Sequence, residues 1–226
     1  MAQSALDYLM NLVGPSQAEA APWSEVGPIL RALHRKYRRP MPDIKGMQAL
    51  ERLTESYPSV RNMPLHTTES DRGSFIRNEY KSLEDFLQGN ITPYEGIFLT
   101  ELFGGRPLVS SPALSYGHEG IHAFSGGSSQ LPYFYNLSPY NWKHMSRAAT
   151  EGLAEGASHG MLGKYNENVY APYFRTFVNK GEPEILQRYL NAGELGVELG
   201  ESLRRGNTPN QANIIEQLFN IMRGNY

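Results

Sequence analysis

Apolar stretches along the chain are short and punctuated by proline and glycine signals that read as helix starts and stops. Thr92-Pro93-Tyr94-Glu95 combines a capping threonine, a first-turn proline and a glutamate three residues on, and Gly104-Gly105 closes that segment, so a helix is predicted between them. Ser111-Pro112 opens a second helix running to about Phe124, with Gly126-Gly127 beyond it. Ser138-Pro139 opens a longer one reaching Gly163, and Thr208-Pro209 opens the last, which stops near Gly224. Earlier, Glu25–Arg39, Ile44–Tyr57 and Ser82–Leu87 also read as helical, and a short helix precedes Gly14-Pro15. Only Ser74–Arg77 and Pro107–Ser110 suit strands, and Arg61–Gly73 reads as an irregular loop. The expectation is a mainly α protein with little or no sheet, one domain over 1–226, in which the helical part over about 1–60 is a candidate separate lobe.

Composition narrows the function without choosing it. The 226 residues are 40% hydrophobic and 19% charged, with a formal charge of −2. That balance gives no electrostatic reason to expect nucleic acid or an anionic membrane as a partner. The basic cluster His34-Arg35-Lys36-Tyr37-Arg38-Arg39 suits the C-terminal end of a helix, where cations meet the negative end of the macrodipole. No stretch approaches the ~18 apolar residues of a membrane span. Ala18-Glu19-Ala20 has the small residues of a cleavage site, but there is no basic segment before it and Asp7 interrupts the apolar stretch. The expectation is an intracellular, cytoplasmic protein without signal peptide. With no cysteine in the chain, a metal site must be built from His, Asp and Glu.

His118-Glu119-Gly120-Ile121-His122 has the HExxH pattern. Residues four apart share one helix face, so both imidazoles can reach a single ion, and the glutamate between them lies beside the open coordination position. A zinc site requires a third protein ligand. All four aspartates precede the motif, and an HExxHxxGxxH extension fails because Ser125 and Ser128 stand at its glycine and final histidine. His144, Glu151, Glu155 and His159 remain, spaced seven, four and four apart on one face of the helix begun at Ser138. Gly152, Gly156 and Gly160 recur beside that face. Glycine inside a helix costs about 1 kcal/mol relative to alanine, so the run predicts a tight crossing, expected against the HExxH helix, which carries Gly120 and Ala123.

The segment Thr150-Glu151-Gly152-Leu153-Ala154-Glu155, following HExxH, resembles the glutamate-bearing helix of the gluzincin metallopeptidases. The resemblance covers Ser111 to about Gly160, and a threonine stands where asparagine often precedes the glutamate. It implies a zincin-like helical core in which Glu151 is the third ligand of one Zn²⁺ per chain. Glu155 would be the carboxylate that orients a ligand histidine through its other ring nitrogen. It further implies an edge strand ahead of the HExxH helix that pairs with an extended peptide substrate; Pro107–Ser110 is short for that role. The activity implied is hydrolysis of peptide bonds by a metal-bound water, with Glu119 as general base. An oxyanion donor would come from His159 or Tyr165, with Tyr133, Tyr135 and Tyr170 also eligible.

Two alternatives differ in class. In one, the chain is a structural or interaction protein, free or in a larger assembly, whose metal site is non-catalytic or whose HExxH is inert. Its mark would be a closed site or a fourth protein ligand such as Glu155 or His159. In the other, Glu119 and His122 form half of a carboxylate-bridged di-iron site, but Glu155 to His159 is one residue too long for the second E-x-x-H.

Overall fold

A computed structural model describes residues 22–63, 65–68, 74–76, 83–89, 96–100, 102–103, 106–107, 111–127, 139–163 and 170–225. The helix expected before Gly14-Pro15, the Thr92–Glu95 start signal, and Tyr133, Tyr135 and Tyr165 lie outside the described residues. The architecture is mainly α. Helices α1 (Trp23–Lys36), α2 (Ile44–Ser56) and α3 (Pro58–Arg61) lead into strands β1 (Leu65–Thr68) and β2 (Ser74–Ile76), then the short α4 (Leu83–Leu87). Strands β3 (Gly96–Thr100), β4 (Leu102–Phe103) and β5 (Arg106–Pro107) follow. The rest is helical: α5 (Pro112–Ser125), α6 (Pro139–Leu162), α7 (Ala171–Val178), α8 (Pro183–Arg204) and α9 (Gln211–Arg223).

The small sheet corrects two expectations. Strand β3, paired parallel to β1 and antiparallel to β2, occupies the middle of the helix expected between Thr92 and Gly104. Strand β1 lies within the expected loop over 61–73, and β4 pairs with β5 as a separate antiparallel ribbon. Among the described residues the order β1-β3-β2 leaves β1 and β2 at the edges, with both β2 and β3 packed against α5. Two helices, α7 and α8, were not anticipated. The last helix begins later than Thr208-Pro209 indicates, because Asn210 supplies the cap by accepting from the Asn213 N–H at 3.0 Å.

One core runs from the N-terminal helices into the remainder. Leu30, Leu50 and Leu53 pack with Tyr116, Phe124, Leu153, Leu199 and Leu218. Helix α5 crosses this core and is held at both ends. At its start, the Nε2 of His34, in the last turn of α1, accepts from the Ala113 N–H at 3.2 Å, satisfying one of the donors a helix N-terminus leaves open. At its end, Gln211 of α9 donates to the Phe124 carbonyl at 2.6 Å. In between, the Tyr116 hydroxyl meets Thr54 of α2 at 2.8 Å, and Gly126 at φ 76° closes the helix in the left-handed region.

The tight glycine crossing exists, but its partner is α8, not α5. A Cβ on Gly152, Gly156 or Gly160 would fall 2.2, 2.1 or 2.7 Å from the carbonyl oxygens of Tyr189, Gly193 and Val197. The contact is reciprocal, since a Cβ on Gly196 or Gly200 would meet the carbonyls of Leu153 and Ala157 at 2.4 and 2.2 Å. Gly120 instead makes room for Leu53 of α2, and Gly117 provides the small surface where α5 meets Ser158 and Met161 of α6. The physical reason is rotation around α6. Its ligand face and its glycine face are adjacent, so they serve different neighbours, α5 and α8.

Candidate metal centre

Helices α5 and α6 bring His118, His122 and Glu151 to one point. Their Nε2, Nε2 and Oε2 atoms lie 3.1 Å (His118 to His122), 3.2 Å (His118 to Glu151) and 3.3 Å (His122 to Glu151) apart. A tetrahedral ion with bonds of about 2.0–2.1 Å holds its ligand atoms about 3.3–3.4 Å apart, so this triangle is close to the face such an ion requires. As a purely hydrogen-bonded cluster it is poorly matched, because two imidazole nitrogens both face one carboxylate oxygen while also touching each other. The three side chains are only 15%, 12% and 14% exposed. They can hold a metal ion, and they are the only such group among the described residues.

Electrostatics prepare the carboxylate for that role. Burial alone would raise the Glu151 carboxyl, but hydrogen bonds and charge from His118 and His122 outweigh it and hold it well below the usual carboxylate range. Arg147, one turn earlier on α6, places its Nε 4.0 Å from the other Glu151 oxygen and its guanidinium over the Tyr173 ring. Glu119 is in the opposite position. It is 7% exposed, and burial, with Glu151 nearby, pushes its carboxyl up to about 7 against a smaller opposing effect of His118. Two neighbouring carboxyls thus have affinities for the proton pulled apart, one suited to a ligand and one to proton exchange near neutrality.

Of the other residues on the α6 face, none joins the triad. His144 packs against Phe177 of α7, its ring centroid 5.1 Å away. Glu155 accepts a short hydrogen bond from the Tyr189 hydroxyl of α8, which ties α6 to α8. His159 is buried two turns beyond Glu151 and lines a cavity of about 160 Å³ together with Leu114, His118, Glu119, Glu155 and Tyr170. Only the turn of α6 that crosses nearest to His118 reaches the two imidazoles, which is why Glu151 alone of the four joins the group that could hold an ion.

Tyr170 is the residue sequence reasoning left undistinguished among many tyrosines. It precedes α7 and stacks on His118 with centroids 5.8 Å apart and planes 18° from parallel. Burial, reinforced by Glu151 and Glu119, raises its hydroxyl well above the ordinary tyrosine range, so it remains a proton donor. The only clue in the sequence was the proline at 172, which starts a helix just beyond it. No described helix is long and apolar enough to cross a membrane. Comparison with protein-family models, with curated proteins and with solved structures gives no match to this chain.

Proposed function

We propose that this chain is a zinc-dependent metallopeptidase, a gluzincin-like hydrolase of peptide bonds. The observation that carries the reading is the triangle of His118, His122 and Glu151 with a buried glutamate, Glu119, that lines a small cavity together with His118. His118, His122 and Glu151 would hold the zinc ion, which when bound would supply activation of a water and polarisation of the scissile carbonyl. Glu119 takes the proton from the attacking water and returns it to the leaving amine. Tyr170, protonated and stacked on a ligand, donates its O–H to the oxygen on which negative charge develops. Strand β2, at the sheet edge and packed against α5, supports an extended peptide substrate, since an edge offers unpaired N–H and C=O groups. The cavity reaching His118 and Glu119 favours this over a closed structural site, as does the absence of Glu155 and His159 from the ligand set.

Metal content tests the reading first. Protein purified without an affinity tag should contain one zinc per chain by elemental analysis, and His118→Ala and Glu151→Ala should each lose it. Wild type that stays metal-free after zinc soaking would end the proposal. A finer test concerns the oxyanion. Tyr170→Phe should keep its zinc and lower kcat on a cleaved peptide by about 10²-fold with little change in KM, because the bond removed strengthens only in the transition state. An unchanged kcat would leave Tyr170 as a packing residue.

A further inference from the structure

The connection between α1 and α2, residues 37–43, combines exposed apolar and basic groups. Ile44, the first residue of α2, is 77% exposed, more than any other large apolar side chain among the described residues, and Met41 is 41% exposed. Neither serves the helix start. Asp43 caps it by accepting from the Gly46 N–H at 2.7 Å, and an apolar staple there would use positions 42 and 47. Around the two apolar side chains in sequence stand Arg31, Arg35, Arg38 and Lys45, all exposed. Asp43 is the one acid between Val26 and Gln48, and it is paired with Arg204 of α8, so it offsets none of the four. The net charge of −2 averages over this segment and hides it. Arg38 adds a second kind of observation. The Arg38 and Arg39 N–H groups donate to the Arg35 and His34 carbonyls at 3.2 and 2.9 Å, a closure that places position 38 in the left-handed region. Arg38 adopts φ 51° and is the only non-glycine residue with positive φ among those described. Glycine would fit there without the steric strain of a Cβ, so the arginine stands against the local preference. Strain of this kind gathers at functional positions. Pro40 and Pro42 flank Met41, fix the backbone on either side and carry no N–H, so the turn presents Met41 stiffly.

We propose that this turn docks the protein on an anionic lipid bilayer, with Met41 and Ile44 entering the interface while Arg31, Arg35, Arg38 and Lys45 meet the lipid phosphates. The inference is independent of the peptidase reading. A bilayer interface has hydrocarbon directly beneath a layer of negative headgroups, which matches apolar side chains set among cations. An acidic polymer in solution would answer the cations alone; the exposed isoleucine and methionine favour a partner with an apolar layer behind its charges. The attachment is peripheral and reversible, because two apolar side chains and four cations fall short of what stable anchoring requires.

Cosedimentation of the full chain with vesicles tests the proposal. Binding is expected to vesicles of phosphatidylserine and phosphatidylcholine in equal parts but not to phosphatidylcholine alone, and it should weaken as salt is raised. Ile44→Ser should weaken binding about tenfold without changing the melting temperature, because the side chain is largely in solvent in the folded chain. Arg35→Gln combined with Arg38→Gln should weaken it about twentyfold and flatten the salt dependence. Arg38→Gly separates function from folding. That variant should melt at the wild-type temperature or higher, yet bind about fivefold more weakly. Failure to bind the charged vesicles at low salt overturns the proposal, as does binding that the arginine variants leave intact. Binding unaffected by Ile44→Ser would mean that nothing enters the interface, and would also overturn it. Tighter binding to soluble polyglutamate than to vesicles would assign the surface to an acidic protein instead. A concentration-dependent dimer that Ile44→Ser dissociates would assign it to a second copy of the chain, and either result ends the bilayer reading.

Discussion

Glu119→Gln should retain one zinc per chain and lose peptide hydrolysis by about 10³-fold or more. The substitution keeps the shape of the side chain and leaves His118, His122 and Glu151 untouched, so the ligand triangle persists. What disappears is the ability to take a proton, a contribution typically of about 10²–10⁴-fold for a positioned acid–base group, and here one that both activates the water and serves the leaving amine. Stability provides an internal control. Glu119 is buried and its carboxyl is pushed up to about 7, which means that its charged form is disfavoured where it stands. A neutral amide removes that burden, so the variant should melt at the same temperature as wild type or higher. A collapse in turnover with preserved metal and stability is the signature of lost chemistry, because misfolding would remove all three. Turnover retained in the variant would dismiss Glu119 as the base. Wild type that binds zinc but cleaves nothing across a broad peptide library would return the ion to a structural role.

The histidine pair of the triangle was legible because helix geometry alone relates its two members. Residues 118 and 122 must share a face, and a third ligand was limited to four residues on another helix. Choosing Glu151 among the four required the gluzincin resemblance, since spacing placed His144, Glu155 and His159 on the same face equally well. The structure separates them by where α6 crosses α5, a tertiary fact with no local signature. Strand β3 was misread for a different reason. Gly96-Ile97-Phe98-Leu99-Thr100 is a short apolar run, which periodicity cannot assign, and the capping signal at Thr92-Pro93 decided the wrong way. Its partners β1 and β2 are only four and three residues long, so the sheet exists through pairing between distant segments.

Helix α8 should have been found. Ile185, Tyr189, Ala192, Gly196, Leu199 and Leu203 are buried at alternating steps of four and three, opened by the proline at 183. Its glycines at 193, 196 and 200 also answer those at 152, 156 and 160 on α6. Two helices carrying matched small residues are a natural pair, and that pairing would have redirected the expected crossing from α5 to α8. Tyr170 lay beyond reach, because its value depends on a stack against His118 from a separate element.

The same crossing yields the largest expected effect on stability. Gly156→Ala should cost about 4 kcal/mol or more in urea unfolding, or prevent folding, whereas Gly193→Ala should be neutral or stabilising by up to about 1 kcal/mol. Both glycines lie inside long helices at the same interface, and in an exposed helix either change would favour folding. The difference is where the new methyl goes. At Gly156 it would sit 2.1 Å from the Gly193 carbonyl oxygen, a backbone atom that no rotamer change can move. Relief requires α8 to shift bodily, which would also open the contacts at Gly152, Gly160, Gly196 and Gly200. At Gly193 the nearest atom is the Gly152 carbonyl oxygen at 3.8 Å, an ordinary contact. A displaced α8 would carry Tyr189 away from Glu155, so any folded remnant of Gly156→Ala should also lose that hydrogen bond. Equal, small effects of the two alanines would show that the helices are not in backbone contact, and that the glycine run has another cause.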